Sequence, residues 1–591
     1  MGVTASCVTA GCYSTGDGTA PPPNQIYFPV GLAVSRGGNV LYVANSDFDL
    51  QWNGGTMQSY DLHIIRKHAV WTIDDPNNPN LPLARPPTGV TCDTPVQSPP
   101  TYKTDGSGQR QPIGETCAPP VDSSIYVRDS ATIGAFATDL QLAVPQSECV
   151  PDAATSTFGT CTDLVCAPGT HCERAGGMNR LFMPVRGDAS LTWADMSVDD
   201  PSQAPPEDPA TALATFPGFK LDCGPRSGNR CDAEHHAGNN PNEQHNTRFI
   251  TMPGEPFGMA QSEAGDVIAI THQTDTKTSL FFTGLVGTPG PDPSLQFFLD
   301  GLPSGGVGIT AVPHDPDAFD PSQTPRPAFL QTSRASNEID LLRYYSDDGS
   351  TSQASLRRPF LVKESGYSLT ANAGGTDSRG IVIDPTPRIA CKAQVAPASA
   401  TRPQTDVQRD LQNCARLPAR VYFANRSPAS LLVGEIGEPS TSGDGTYDPD
   451  RLVVFGNIPL SFGPSKLFLA PIVDQDGNYA LRVFIVCFDS ASIYVMDPQT
   501  NTMENIIRTG PGPFALAFDP FDLNEVALHK KVPAYTREPG LDLKRYRFGY
   551  IASFSQSYIQ VVDLDNSRAN KDTFEKIVFT LGLPTLPKGT Q

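Results

Sequence analysis

The C-terminal stretch GYIASFSQSYIQVVDLDN (549–566) alternates apolar and polar residues, breaks at a small polar segment, then alternates again. Two such runs about a polar turn read as a β-hairpin. The pattern recurs. Comparable segments are LYVANSDFDLQWNGGTMQSYDL (41–62), RLFMPVRGDASLTWADMSV (180–198), VIAITHQTDTKTSLFFTGL (267–285) and AFLQTSRASNEIDLLRYY (328–345). RVYFANRSPASLLVGEIG (420–437) and RVFIVCFDSASIYVMDPQT (482–500) bring the total to seven with the opening stretch.

Each copy has a further apolar strand upstream: PVGLAVS (29–35), IGAFATD (133–139), PFGMAQS (256–262), GVGITAV (306–312), RGIVIDP (379–385), SKLFLAP (465–471) and PFALAFD (513–519). Their small residues, among them Gly31, Ala33, Gly258, Ala260, Ala515 and Ala517, suit strands crowded around an axis. A fourth, outer strand follows some copies, as in ENIIRTG (504–510) and EKIVFTLG (575–582). One such sheet cannot bury both faces alone, whereas a ring of sheets packs each face on a neighbour. The expected fold is therefore all-β, a seven-bladed β-propeller over 25–591 preceded by a tail over 1–24. A pair of β-sandwiches is the rival, and the constant internal order of the copies speaks against it. Long insertions interrupt the ring at about 72–122, 145–178, 200–247 and 385–418. Loops of this length carry function or disorder, and the cysteines here favour ordered, stapled loops.

The G-x-x-P step before an inner strand, the run LYVANS (41–46) and the stretch from GPFALAFDP to YIQVVDLDN (512–566) resemble the YVTN family of β-propellers. With its cysteine-rich insertions the chain is also similar to cell-surface propeller lipoproteins of myxobacteria. The resemblance implies a propeller fold. It leaves the activity open, because such propellers include binding scaffolds, surface-layer proteins, lactonases and docking subunits of redox enzymes.

The formal charge is -20, from 63 Asp and Glu against 43 Lys and Arg, which argues against a nucleic-acid partner. No run of about 18 apolar residues offers a transmembrane helix. Thirteen cysteines point to an extracytoplasmic location: periplasm, outer-membrane surface or secreted. Sequence neighbours give the expected disulfides Cys92–Cys117, Cys223–Cys231 and Cys391–Cys414. Cys149, Cys161, Cys166 and Cys172 allow three connectivities, with zinc as a rival whose C-x2-C knuckles are missing. VTASC and VTAGC resemble the small-residue end of a lipoprotein signal. Cys7 or Cys12 is then the lipid acceptor, or the two form a disulfide. Cys487, inside VFIVCFD, reads as a buried thiol.

Chemistry is sparse. The sequence has no C-x-x-C-H haem motif, no G-x-S-x-G elbow and no phosphate loop. CDAEHHAGNNPNEQH (231–245) offers His235, His236 and His245 with nearby carboxylates as a divalent-metal candidate, against a solvated polar loop. VDQDGNYA (473–480) alternates oxygen ligands, but Gly477 falls too early for a calcium loop and suits a hairpin turn. Asp139, Asp384 and Asp519 recur after the inner strands, as acid-base candidates or as turn formers. The expectation is a non-enzymatic binding scaffold for another protein or a cell-envelope component, with no cofactor beyond that metal. The alternatives are a metal- or carboxylate-dependent hydrolase or lactonase at the propeller mouth, and a docking subunit of a redox assembly.

Overall fold

The computed structural model describes residues 18–73, 101–104, 110–113, 120–143, 147–151, 159–160, 170–174, 178–199, 203–285, 292–318, 326–346, 358–369, 375–441, 447–448, 450–532, 547–568 and 573–583. Seven antiparallel four-stranded blades form a ring. From the axis outward, blade 1 is Pro29–Val34, Val40–Asn45, Thr56–Asp61 and Val127–Thr132. Blade 7 is Pro513–Phe518, Phe548–Ser553, Tyr558–Asp563 and Ile577–Leu581. All seven expected hairpins form the middle strands of a blade, at 40–61, 178–197, 267–282, 328–345, 419–437, 479–497 and 548–563.

Both faces of these strands are apolar, and the ring explains why. On the second strand of blade 1, Leu41 and Val43 join a core shared with blade 7, while Val40, Tyr42 and Ala44 join one shared with blade 2. The same alternation repeats around the ring, so seven apolar clusters occupy the seven junctions between blades. Side-chain period two places successive residues on opposite faces, and a blade has a neighbour on each.

The entry to every inner strand repeats one conformation. Phe28, Phe136, Glu255, Gly305, Asp377, Gly463 and Gly512 all take positive φ, between 47° and 82°. Glycine relieves the strain in three blades and costs nothing there; the other four tolerate it. In blade 2 the bend at Phe136 falls inside the expected strand rather than before it. The expected strand 133–139 is reduced to a bridge at Ala137, and regular pairing starts at Gln141–Ala143. Inner strands also crowd one another as the small residues require. A Cβ on Gly31 would overlap Leu140, one on Gly258 the Val307 carbonyl, and one on Gly308 the Arg379 carbonyl.

The insertions hold more regular structure than loops. The first begins at 62, earlier than expected, as the helix Leu62–Ile73. It returns strands Thr101–Thr104 and Arg110–Ile113 to the rim of blade 6 and Pro120–Val121, in parallel, to the rim of blade 7. The second contains a small sheet whose register sets Cys149 opposite Cys172. The third carries the helix Pro209–Thr215, and His236–Ala237 within it is the outer strand of blade 2 itself. The fourth is a helical hairpin, Thr386–Ala393 and Gln404–Ala415, tied by Cys391–Cys414. Cys223–Cys231 is also bonded, as expected. Cys7, Cys12, Cys92, Cys117, Cys161 and Cys166 lie outside the described residues. Residues 18–24 are tied to blade 1 and its insertion through Asn53, Gln58 and Ser123. No helix among the described residues is long and apolar enough to cross a membrane.

Two predictions follow from this packing. Gly308→Ala places a methyl against backbone that cannot retreat, and should cost about 1–3 kcal/mol or more, read as a lowered denaturation midpoint. His272 is held neutral between the Gly254 carbonyl and Ser279 Oγ, each at 2.8 Å, and burial pushes its pKa down to about 4. An unfolded histidine takes up its proton near pH 6.5, so the stability that neutral His272 contributes is fully present above pH 6.5 and falls as pH drops from 6.5 to 4. His272→Gln should remove up to roughly 3 kcal/mol of that slope in melts across the window.

Candidate functional site

Antiparallel blades sort their connections to two ends. First-to-second and third-to-fourth strand connections fall at one end, and the remaining ones at the other. The long excursions 62–126, 144–177, 198–235, 312–327, 385–418, 438–450 and 519–547 all belong to the first set. The opposite end carries mostly tight turns, such as 186–189, 427–428 and 488–491. The protein thus has an insertion end and a short-connection end.

The shaft is crossed near its short-connection end. Four blades place Gly31, Gly258, Gly308 and Gly380 third in the inner strand, and blade 6 places Lys466 there. Its ammonium lies 4.5 Å from the Phe514 ring centroid and 3.0 Å from Asp139 Oδ1 of blade 2, across the axis. Around this plug, Phe28, Phe48, Phe136, Phe488, Phe514 and Phe554 form one cluster with neighbouring centroids 5.1–6.3 Å apart. Phe48 remains 50% exposed, and Phe249 and Phe462, on other connections of the same end, are 75% and 81% exposed. Beside the cluster, Asp47 is buried with Oδ2 unpartnered, and desolvation raises its pKa to about 7.

The three post-strand carboxylates do not meet. Asp139 holds Lys466. Asp519 is buried against Arg66, the Tyr550 hydroxyl and the Phe548 amide. Asp384 accepts from the Thr386 amide at 2.8 Å, and burial raises its pKa. It lines a cleft of about 490 Å3 at the insertion end with Gln394, Arg420, Gln499 and His529. The expected histidine cluster is also dispersed. His235 pairs with Asp232 and stacks on Trp193, His236 faces Asp188, and His245 pairs with Asp292. Asp474 spends Oδ1 on the amides of Asp476 and Asn478, closing a turn with Gly477 at φ 82°. Cys487 is buried, and desolvation pushes its thiol up to about 12.

Among the described residues, one group of three can converge on a metal ion: His314, Glu438 and Asp450. His314 belongs to the first connection of blade 4; the carboxylates bracket the 438–450 connection of blade 5. His314 Nε2 lies 2.7 Å from Asp450 Oδ1, whose other oxygen is held by Arg343. Arg388 and the Asp315 amide bind Glu438 Oε1. Burial works against the His314 charge, but hydrogen bonds that its ring donates to Asp450 and Glu263 prevail and lift its pKa to about 9. Desolvation lifts Glu438 to about 7. Sequence reading missed this group, because its members come from separate connections with no local motif.

No family model matches the chain, and none of the curated proteins matches it. Among solved structures it is similar to Kuenenia stuttgartiensis hydrazine synthase, at 10% identity over 94% of this chain and 99% of that one, TM-score 0.37. Pseudomonas aeruginosa periplasmic gluconolactonase is similar at 12% identity over 84% and 95%, TM-score 0.36. A Lactobacillus plantarum protein follows at 11% over 82% and 86%, TM-score 0.33. Likeness at these identities and TM-scores carries nothing about activity.

The plug makes its own prediction. A double-mutant cycle of Lys466→Met and Asp139→Asn should return a coupling of about 1 kcal/mol or less in denaturation, since both groups keep partial solvent access.

Proposed function

We propose that the protein is a non-enzymatic, extracytoplasmic scaffold that docks another protein or a cell-envelope component on its short-connection end. The exposed phenylalanines Phe48, Phe249 and Phe462 on that one end carry the reading. Interfaces draw most of their energy from a few aromatic anchors that lose water on binding, each worth about 1.5–3 kcal/mol on full burial. The Lys466–Asp139 contact supports it further, because it spans the shaft near that end and occupies both charged groups with each other. The insertions, by contrast, are stapled internally by disulfides and held to the ring by ion pairs, as braces are. The disulfides and the YVTN-like repeats fit a surface propeller of the myxobacterial lipoprotein type, with Cys7 or Cys12 as anchor in that reading.

Cross-linking to native envelope fractions tests it with single variants that leave the core untouched. Phe48→Ser, Phe249→Ser and Phe462→Ser should weaken capture of the partner, at least one of them tenfold or more. Arg409→Glu, on the insertion end with its side chain 63% exposed, should not. The reverse ranking, or capture indifferent to all three phenylalanines, overturns the reading.

A further inference from the structure

The group at the blade 4–blade 5 junction is built as a cation site. Its side chains are sequestered, with 7% of His314, 4% of Glu438 and none of Asp450 exposed. Their ligating atoms all lie within 4.8 Å of one another. Glu438 Oε2 has no hydrogen-bond partner although it is buried. An unmet carboxylate oxygen at this depth is unfavourable, and more so when charged, unless a cation meets it.

The surrounding contacts orient the three ligands and leave one lone pair of each turned inward. Arg343 takes Asp450 Oδ2 and leaves Oδ1; Arg388 and the Asp315 amide take Glu438 Oε1 and leave Oε2. The Tyr367 hydroxyl fixes the Asp450 carbonyl, and Lys392 fixes Asp315. On the far side of the imidazole, His314 Nδ1 faces Glu263 Oε2 at 3.6 Å, and the His314 amide donates to the same carboxylate at 3.0 Å. A carboxylate behind the second ring nitrogen is the usual outer partner of a metal-bound histidine.

We propose that His314 Nε2, Asp450 Oδ1 and Glu438 Oε2 bind one divalent transition-metal ion at the insertion end, bracing blade 4 against blade 5. The ion requires the unprotonated Nε2 and the ionised carboxylates, so any proton held there leaves to solvent on binding. Bonds of about 2.0–2.2 Å at a tetrahedral ion set ligand atoms about 3.4 Å apart, so the present 2.7 Å contact opens and the widest separation within the group, up to 4.8 Å, closes as the ion enters. A mixed imidazole and carboxylate set selects zinc-like ions over calcium, which takes oxygen ligands alone. This site does not depend on the docking reading and lies at the other end of the ring.

The test is equilibrium binding of Zn2+ to the oxidised, chelator-treated full chain, with Ca2+ as contrast. The wild type should bind one Zn2+ with high affinity and melt at a higher temperature in its presence, and Ca2+ should do neither. Glu438→Gln keeps the size and hydrogen-bonding reach of the side chain and should weaken Zn2+ at least a hundredfold, as should His314→Gln. Glu263→Gln should weaken it ten- to a hundredfold through the ring orientation alone. Circular dichroism confirms that each variant is folded, and His235→Ala with His245→Ala controls for the other imidazoles. Absence of a stoichiometric ion in the wild type overturns the proposal. So does binding that survives in folded Glu438→Gln and His314→Gln, or that is lost in the His235 and His245 control instead.

Discussion

A ring of seven blades has six junctions made by chain continuity and one that must be closed between distant parts of the polypeptide, and everything else rests on that seventh. Blades 1 and 7 are each built from their own stretch of chain, without exchange of a blade strand. Bringing segments several hundred residues apart together costs roughly 5 kcal/mol of loop entropy by the logarithmic law. The first insertion supplies the compensation. Its helix brings Ile65, Ala69, Val70 and Ile73 into the core of the closing junction beside Phe579 and Leu581. Its Arg66 pairs with Asp519, and its Pro120–Val121 strand extends blade 7 through the Val121 carbonyl and the Gly582 amide. A handful of large side chains buried at about 1.5–3 kcal/mol each outweighs the closure cost. An excursion that reads as an interruption of the repeat is what seals it.

That role also explains what was legible in the chain and what was not. The blades are visible because both faces of each hairpin are buried, so short strands such as VLYVAN and YIQVVD read as apolar on either register. The helix at 62–73 carries its own signal, since Leu62, Ile65, Ala69, Val70 and Ile73 recur at helical spacing. It was hidden by a strand that runs into it without a break at Asp61–Leu62. The hairpin at 386–415 is likewise marked by Pro387 and Pro403 at its helix starts, yet its polar composition reads as loop. The blade 2 inner strand failed for a different reason: Phe136 takes φ 61° in the middle of the expected run, which no propensity of phenylalanine announces.

The candidate sites show the sharper limit. EHH at 234–236 looks like a ligand cluster because its histidines adjoin in sequence, but each imidazole turns to a different aspartate. His314, Glu438 and Asp450 look like nothing in sequence and converge because blades 4 and 5 are neighbours. Local motifs survive folding only where the backbone keeps them on one side. Constellations assembled from separate blades are invisible until the ring is closed.

The two ends of the ring also divide the physical chemistry. The most buried guanidinium–carboxylate pairs, Arg66–Asp519, Arg128–Asp61, Arg343–Asp450, Arg388–Glu438 and Arg568–Asp563, all gather at the insertion end. Such pairs add little net stability over apolar packing, but breaking one strands a buried charge, so they favour a single arrangement of the elements they join. The short-connection end keeps its ion pairs more exposed, as in Arg186–Glu255 and Arg426–Asp489, and adds phenylalanines in edge and tilted contact with three left facing water. A chain carrying a charge of -20 places its most buried arginine pairs where excursions must be held still. It leaves bare aromatic surface at the end where the long insertions are absent, on the connections 46–55, 238–255 and 460–463. Binding there orders little that the ring has not already fixed, which keeps the entropic cost of association low.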